Sequence, residues 1–598
     1  MTLKADTETR PFMGVSSSLG GKRWVMAECD ERLGLALSQR LGLPDVVARI
    51  LSSRGVGLDD AAGFLDPKLR DQLPDPSRFK DMDKAAERIA SAIMQGEQMA
   101  VFGDYDVDGA TSSALFSRFA KSVGGRIRTY IPDRMREGYG PNSAALLSLK
   151  DSGVSLVLTV DCGTLAFDAL AVAEKSGLDV IVADHHTPGA SLPKCVAVIN
   201  PNRLDEQPGF GNLAAVGVVF LLMIAVNRLL RSMNWYQTRT EPDLMGWLDI
   251  VALGTVCDVV PLGPLNRAFV AQGLKIMAGR SNAGIRAVSE IAGITEPPGT
   301  YHAGFVIGPR INAGGRLGAS HLGTRLLTTD DRDEAADIAR KLDAFNSERR
   351  DLEALVLEQA VTNIERADGQ GDATVLATGE GWHAGVIGIV ASRLKERYNR
   401  PACVIAFDHE TGLGSGSGRS VSGVDLGSAI LAASQAGLLV KGGGHAMAAG
   451  FTVERDKLDA LRDFLNERIG KIIDERKIVP TLKLDASIAL SGVTPALIEK
   501  LDQIGPFGSG NPEPRFVVPE VNIAYATVVG ENHLRCTLVD AAGNKRQAIC
   551  FRCMDAPLGV ELLNANGKSF HIVGKIRLNH WQGRTTQQIQ IEDAAPVW

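Results

Sequence analysis

Three aspartates alternate within five residues in the run GDYDVDG: Asp104, Asp106 and Asp108, with Gly109 after them. Carboxylates this close repel one another unless they are solvated or share a cation. The run follows the apolar stretch MAVFG, so a cation is the better explanation, and oxygen ligands favour Mg²⁺ or Mn²⁺. A calcium loop also begins D-x-D-x-D-G, but it needs a bidentate Glu at its twelfth position. Here that position is Leu115. Two further acidic sites end apolar stretches: TVDCG supplies Asp161, and ADHH supplies Asp184, His185 and His186. Neutral imidazole is a good Mn²⁺ ligand whose second ring nitrogen needs an acceptor, and Asp184 can orient a ring or ligate. Asp258 follows the apolar segment VALGTVC, where helix-end solvation and ligation are both open. These donors suffice for two divalent cations sharing a carboxylate, the arrangement that suits in-line displacement at phosphorus. There is no GxSxG elbow and no GxxxxGK[ST] loop, so serine hydrolysis and P-loop nucleotide hydrolysis are unsupported.

Glycine-rich segments supply an anion-binding counterpart. IGPRINAGGRLG reads as a loop presenting Arg310, Asn312 and Arg316; guanidinium forks match phosphate and glycines let backbone N–H groups approach it. GSGRS (Ser417, Arg419) and KGGGHAMAAG (Gly443, Gly444, His445) repeat that chemistry. From Lys545 to Arg584 there are seven Lys/Arg against two acids, interleaved with Phe551, Phe570, His571, His580 and Trp581. Basic strands carrying rings suit the stacking of single-stranded bases.

The elements that must position these residues follow from periodicity. Helices over about 109–123, 142–151 and 165–176 alternate with strands over 126–131, 155–160 and 179–183, which predicts a parallel α/β sheet. In such a sheet ligands bind beyond the carboxyl ends of the strands, where all three acidic motifs fall. The chain divides into an N-terminal extension (1–80), a first α/β domain (81–330), a connecting helix (331–370), a second α/β domain (371–470) and a small β-barrel (475–598). The apolar run from Ala214 to Val226 is thirteen residues long, short of the ~20 a membrane span needs, so it reads as a buried core helix. The start lacks an apolar leader. Eight dispersed cysteines suit a reducing cytoplasm, and the single CxxC, Cys550 and Cys553, is weak evidence for zinc. With 70 acidic and 64 basic residues the formal charge is −6, so any nucleic-acid contact must come from local patches.

DYDVDG, TVDCG, ADHH and the Asp258 segment together resemble the four motifs of the DHH phosphoesterase family, and GGGHAMAAG is similar to the signature of its DHH-associated domain. The resemblance implies that Asp106, Asp108, Asp161, His185 and Asp258 are metal ligands, that Asp161 is shared by both ions, and that His186 acts on the scissile phosphate or as an acid. Some relatives carry a histidine ligand where this chain has Phe102, for which Asp104 compensates. Arg134, Arg310, Ser417 and Arg419 resemble groups around a substrate 5′ phosphate. The implied activity is 5′→3′ hydrolysis of single-stranded DNA to 5′ mononucleotides, with an OB-fold-like barrel gripping the DNA. A helicase and a single-strand-binding protein are the partners the family implies, without a membrane. The competing readings are a phosphodiesterase for short oligonucleotides or cyclic dinucleotides, and a non-catalytic DNA-binding scaffold.

Overall fold

The computed structural model describes residues 10–134, 136–366, 371–581 and 584–597, with the side chains of His580, Trp581 and Arg584 outside that description. The chain forms two units. One comprises Val56–Ser347 with Asp502–Glu513; the other comprises residues up to Gly55 with Glu348–Leu501 and Pro514–Trp598.

The first unit is built on five parallel strands: β1 (Gln98–Gly103), β2 (Arg126–Tyr130), β3 (Leu156–Val160), β4 (Asp179–Ala183) and β5 (Ala197–Ile199), in the order β2-β1-β3-β4-β5. Successive side chains of a strand point to opposite faces, and both faces are covered. Val101, Leu158 and Ile181 join one core with the helices Met82–Gln95, α1 (Val107–Ser122) and α4 (Ala215–Ser232). Phe102, Val157 and Val182 join the other with α2 (Ser143–Asp151) and α3 (Phe167–Lys175). Double coverage explains why β1, β3 and β4 read as continuous apolar runs, while the edge strand β2, RIRTY, stays largely exposed. The chain leaves β1 for one side and returns to β3 on the other. The sheet therefore has its switch point between the ends that carry Asp104 and Asp161, where ligand crevices open.

Helix α4 is longer than its apolar run, because it continues through Asn227, Arg228 and Arg231. By length and composition it could cross a membrane, but 72% of it is buried inside the protein. The segment IGPRINAGGRLG is not a loop. Residues His302–Ile307 form a π-helical turn that runs into helix α6 (Gly308–Arg316), following α5 (Leu248–Cys257) in the chain. Its glycines serve close packing: a Cβ on Gly315 would lie 2.5 Å from the Tyr105 carbonyl.

Helix α7 (Arg332–Arg366) carries the chain into the second unit. There β6 (Val375–Glu380), β7 (Ala402–Phe407), β8 (Leu413–Arg419), β9 (Lys441–His445) and β10 (Ala448–Glu454) form a sheet in the order β9-β10-β8-β7-β6. Only β6 and β7 run parallel; the remaining pairs are antiparallel. The last five strands are β11 (Phe516–Val529), β12 (His533–Val539), β13 (Lys545–Cys550), β14 (Ser569–Trp581) and β15 (Arg584–Pro596). They pair in the circuit β11-β12-β13-β15-β14, which closes where Phe516 meets Gly574 on β14, giving a barrel. The strand Arg23–Met26 pairs with Thr481–Leu484, and Trp24 is fully buried among Leu482, Leu484, Val517, Val573 and Ala595.

Candidate metal centre

Each proposed ligand is fixed by the element that ends at it. Asp104 follows β1, and Asp106 caps α1 by accepting the Gly109 N–H at 3.0 Å. Gly109 is required there, because a Cβ would lie 2.3 Å from the Asp104 carbonyl oxygen. Asp108, in the first turn of α1, is wholly buried. Its two oxygens accept the Ala215 and Val216 N–H groups at 2.6 and 2.9 Å. The N-terminus of the apolar helix α4 thus anchors a carboxylate, as its unsatisfied N–H groups favour. Asp161 follows β3 with φ of 60°, a left-handed conformation that asparagine and aspartate tolerate better than most residues. His185 and His186 follow β4, and Asp258 caps the end of α5.

These ends converge. His185 Nε2 lies 3.3 Å from Asp161 Oδ1, 3.6 Å from Asp258 Oδ2 and 3.9 Å from Asp108 Oδ2. Three sets of ligand atoms each fall within 4.8 Å: Asp104, Asp106 and Asp161; Asp108, His185 and Asp258; and Asp161, His185 and His186. Four donor atoms here are buried with no hydrogen-bond partner: Asp104 Oδ1, Asp161 Oδ1, His185 Nε2 and Asp258 Oδ2. A buried lone pair without a partner costs roughly 1–3 kcal/mol, and four of them shared among these neighbouring sets fit divalent cations. Asp104 belongs to the cluster, whereas Phe102 is buried and stacks on Tyr130 with ring centroids 5.1 Å apart. Among the described residues, none of these sets contains a cysteine.

The electrostatics agree with the geometry. Burial, reinforced by repulsion from Asp106, pushes Asp104 up to about 8 and Asp108 up to about 7. Burial and Asp108 push Asp258 up to about 9, and burial with four neighbouring carboxylates raises Asp161 well above the usual range. A cation bound among them would offset both the burial and the mutual repulsion by stabilising the charged carboxylates. His185 is lowered to about 4 by burial and by His186, so its ring is neutral, as a ligand must be. The Leu213 backbone hydrogen-bonds to that ring, which leaves Nε2 free to face the carboxylates.

His186 is different. Burial opposes its charge, but Asp184 raises it to about 9 through a 2.8 Å hydrogen bond to Nδ1. Asp184 is buried too, yet His186 and Thr164 hold it below the usual carboxylate range. It also accepts the His185, His186 and Thr164 N–H groups, so it orients the ring. Sequence reasoning missed three neighbours. Tyr139 donates to the Asp161 carbonyl at 3.0 Å and lies 3.2 Å from His186 Nδ1. Asn200 and Asn202 donate to the carbonyls of His186 and His185 at 2.8 and 2.5 Å. Both asparagines sit in the NPNR segment just past β5, where the strand-end rule would have found them.

The anion-binding candidates are distributed over both units. In the first, the Arg134 guanidinium lies 5.0 Å above the Tyr105 ring, beside the acidic run. Arg310, Asn312 and Arg316 ride on α6, and Arg310 Nε is paired with Asp343 at 2.8 Å. In the second, β10 lies between β8 and β9. Its Ala448 faces Arg419 on one side and His445 on the other; Gly450 likewise separates Ser417 from Gly443, and Ala449 pairs with Gly444. The sheet thereby lines up GSGR and GGGH across one face. Arg419 donates to Ser417 Oγ at 3.2 Å. Not every ring of the tail is available for stacking. Phe570 is fully buried in the barrel, and His571, on the opposite face of the strand, is nearly so and accepts the Glu520 N–H at 3.2 Å. Lys575 is paired with Glu592 at 2.7 Å. Phe551 is exposed and meets His533 edge-on; the side chains of His580, Trp581 and Arg584 lie outside the described residues.

A parallel sheet whose strand ends carry these aspartates and paired histidines, followed by a glycine-rich second sheet, defines a DHH phosphoesterase. Family models match in the same order: the DHH family N-terminal domain over residues 98–255, the DHHA1 domain over 371–471 and the RecJ OB domain over 484–593. The chain belongs to the family of RecJ, the single-stranded-DNA-specific exonuclease. It is 35% identical to the Escherichia coli (strain K12) RecJ over 568 residues, covering 93% of this chain and 96% of that one. It is 34% identical to the Bacillus subtilis (strain 168) RecJ over 582 residues, covering 96% and 71%. The crystal structure of Thermus thermophilus RecJ in complex with Mn²⁺ superposes with a TM-score of 0.78 at 28% identity, covering 96% of this chain and 79% of that one. The same protein in complex with Mg²⁺ gives a TM-score of 0.73 at 27% identity with the same coverage.

Proposed function

We infer that this chain is a metal-dependent 5′→3′ exonuclease that hydrolyses single-stranded DNA to 5′ mononucleotides in recombination and repair. The observation that carries the reading is the convergence of four orphaned, buried donor atoms from separate chain segments at one strand-end crevice. Asp104, Asp106 and Asp161 would hold one cation, and Asp108, His185 and Asp258 a second. Mn²⁺ or Mg²⁺ held there would supply water activation and neutralisation of charge at the scissile phosphate. The chain's own contribution is positional. Asp161, on its left-handed backbone, holds its carboxylate between the two sets. His186 is kept charged and oriented by Asp184, so it can donate to a phosphate oxygen or deliver a proton to the departing 3′ oxygen. Arg134, Arg310, Asn312, Arg316, Ser417, Arg419, Gly443, Gly444 and His445 contribute the phosphate contacts.

The barrel contributes single-strand affinity, with Phe551 as an available ring. Boundaries near residues 80, 330, 370 and 475 separate the functional modules. A cytoplasmic setting, with a helicase and a single-strand-binding protein as partners, completes the reading. Single strands labelled at the 5′ or the 3′ end, incubated with the protein and Mn²⁺, test it: the 5′ label is released as a mononucleotide first. Activity confined to dinucleotides would instead make the chain a short-oligonucleotide phosphodiesterase, and binding without cleavage would make it a scaffold.

A further inference from the structure

The π-helical turn ahead of α6 displays two aromatic rings that nothing in the metal centre uses. Tyr301 is 60% exposed and Phe305 is 70% exposed, and no other Phe, Tyr or Trp among the described residues is as exposed as Phe305. They stand four residues apart and stack on each other, with centroids 5.5 Å apart and planes 22° from parallel. His302 meets Tyr301 edge-on and is itself tethered, accepting the Gly299 N–H at 3.1 Å and facing Glu296. Burial normally claims side chains of this size. Here the packing side of the turn is taken by small residues instead. Ala303 is fully buried and its carbonyl accepts from Cys257 Sγ, and a Cβ on Gly304 would lie 3.3 Å from Val256. Cys257 immediately precedes the proposed ligand Asp258. At the other end the same helix continues to Gly315, which abuts Tyr105 in the acidic run. The stacked pair is therefore presented by a helix that touches two ligand-bearing segments, and π-turns are frequent at functional sites.

We propose that Tyr301 and Phe305 form a stacking platform for a base of the single strand held at the metal centre. The proposal rests on the exonuclease reading and adds a binding element for the nucleobase to it. The chemistry favours a base over a protein partner. The outward ring face is flat, it continues an existing stack, and it stands on the turn leading into the helix that ends at Arg316, a guanidinium suited to phosphate. Stacking accepts any base, so the platform binds without choosing a sequence.

The test uses the full chain with Mn²⁺ and oligodeoxynucleotides of mixed sequence. Tyr301→Ala and Phe305→Ala each raise KM about tenfold, and the double variant about a hundredfold, while kcat stays within about twofold of the parent. Phe305→Trp restores KM, which a merely structural role would not allow. With a chelator in place of Mn²⁺, so that the strand stays intact, a 2-aminopurine strand loses fluorescence on binding the parent and keeps it on binding the double variant. Unchanged KM and unchanged quenching in the double variant overturn the platform while leaving the exonuclease reading intact. A parent chain that neither binds nor shortens single strands overturns the exonuclease reading, and the platform falls with it. A concentration-dependent dimer that the double variant abolishes, with KM unaltered, assigns the rings to a second copy and also overturns the proposal.

Discussion

At Asp161 a carboxylate and an unusual backbone conformation coincide, and the choice of substitution decides which is tested. Alanine removes the ligand and also strains a position at φ 60°, where L-residues lacking a short polar side chain lose about 1–2 kcal/mol. Asparagine keeps the shape and tolerates the conformation. Asp161→Asn is therefore expected to lose more than about a thousandfold in Mn²⁺-dependent nuclease activity while holding single-stranded DNA nearly as well as the parent. Turnover and filter binding on the same preparation check it, and activity within tenfold of the parent would remove Asp161 from the shared position. A second residue-scale prediction concerns Asp249, a buried carboxyl in the first turn of α5 that accepts the Ile250 N–H. Burial pushes it from 3.8 up to about 6. Its folded pKa lies above its unfolded one, so the folded state holds the proton longer, and stability is lost as pH rises from about 4 to 6. Asp249→Asn escapes that loss. It should be more stable than the parent above pH 6, by on the order of 2–3 kcal/mol, with the gap closing near pH 4. Thermal unfolding across that range reads the gap, and a difference independent of pH would show that the charge is not its cause.

Among the elements, the strand Arg23–Met26 ties the N-terminal segment to the barrel. Asp593, fully buried, accepts from Trp24 Nε1 at 2.9 Å, from Ser18 Oγ at 2.6 Å and from the Gly20 N–H at 3.0 Å. Trp24→Ala empties an indole-sized space and strips one donor from a buried carboxylate, which should cost about 3–5 kcal/mol. The loss should appear as earlier unfolding and faster proteolysis of the barrel; a barrel of unchanged resistance would mean that the N-terminal strand is a passive cover. None of this was legible in the sequence, because a parallel pairing between residues 23–26 and 481–484 leaves no local signal. Strands β1, β3 and β4 were legible, since each carries an apolar run and ends in a chemical motif, whereas β5, three residues long, left too short a signal. The loop assigned to IGPRINAGGRLG failed for a physical reason. Glycine lowers helix propensity on its own, but Gly315 is there because Tyr105 approaches too closely for a side chain. The ligands were readable as residue types after strands. Their anchors were not: Asp108 is held by the N-terminus of a helix more than a hundred residues away.

For the whole molecule, a formal charge of −6 sets a constraint on binding a polyanion. Affinity for single-stranded DNA must come from a few cations placed where strands display them, and it must carry their signature in salt. Each neutralised phosphate of a single strand contributes about −0.7 to the slope of log K against log salt. Lys545 opens β13 of the barrel, Arg552 follows it, and both are exposed. The ion pair to Glu592 makes Lys575 a weaker candidate for phosphate. Replacing both exposed residues by glutamine should flatten the salt slope by roughly 1.4 and weaken binding to all sequences alike. The rate at saturating DNA should be unaltered, because the metal centre is built entirely within the other unit. Equilibrium binding of a mixed-sequence strand over a range of salt concentrations measures the slope. A slope equal to the parent's would move the barrel out of the DNA-binding role, and a fall in the saturated rate would mean that barrel contacts govern the chemical step as well as affinity.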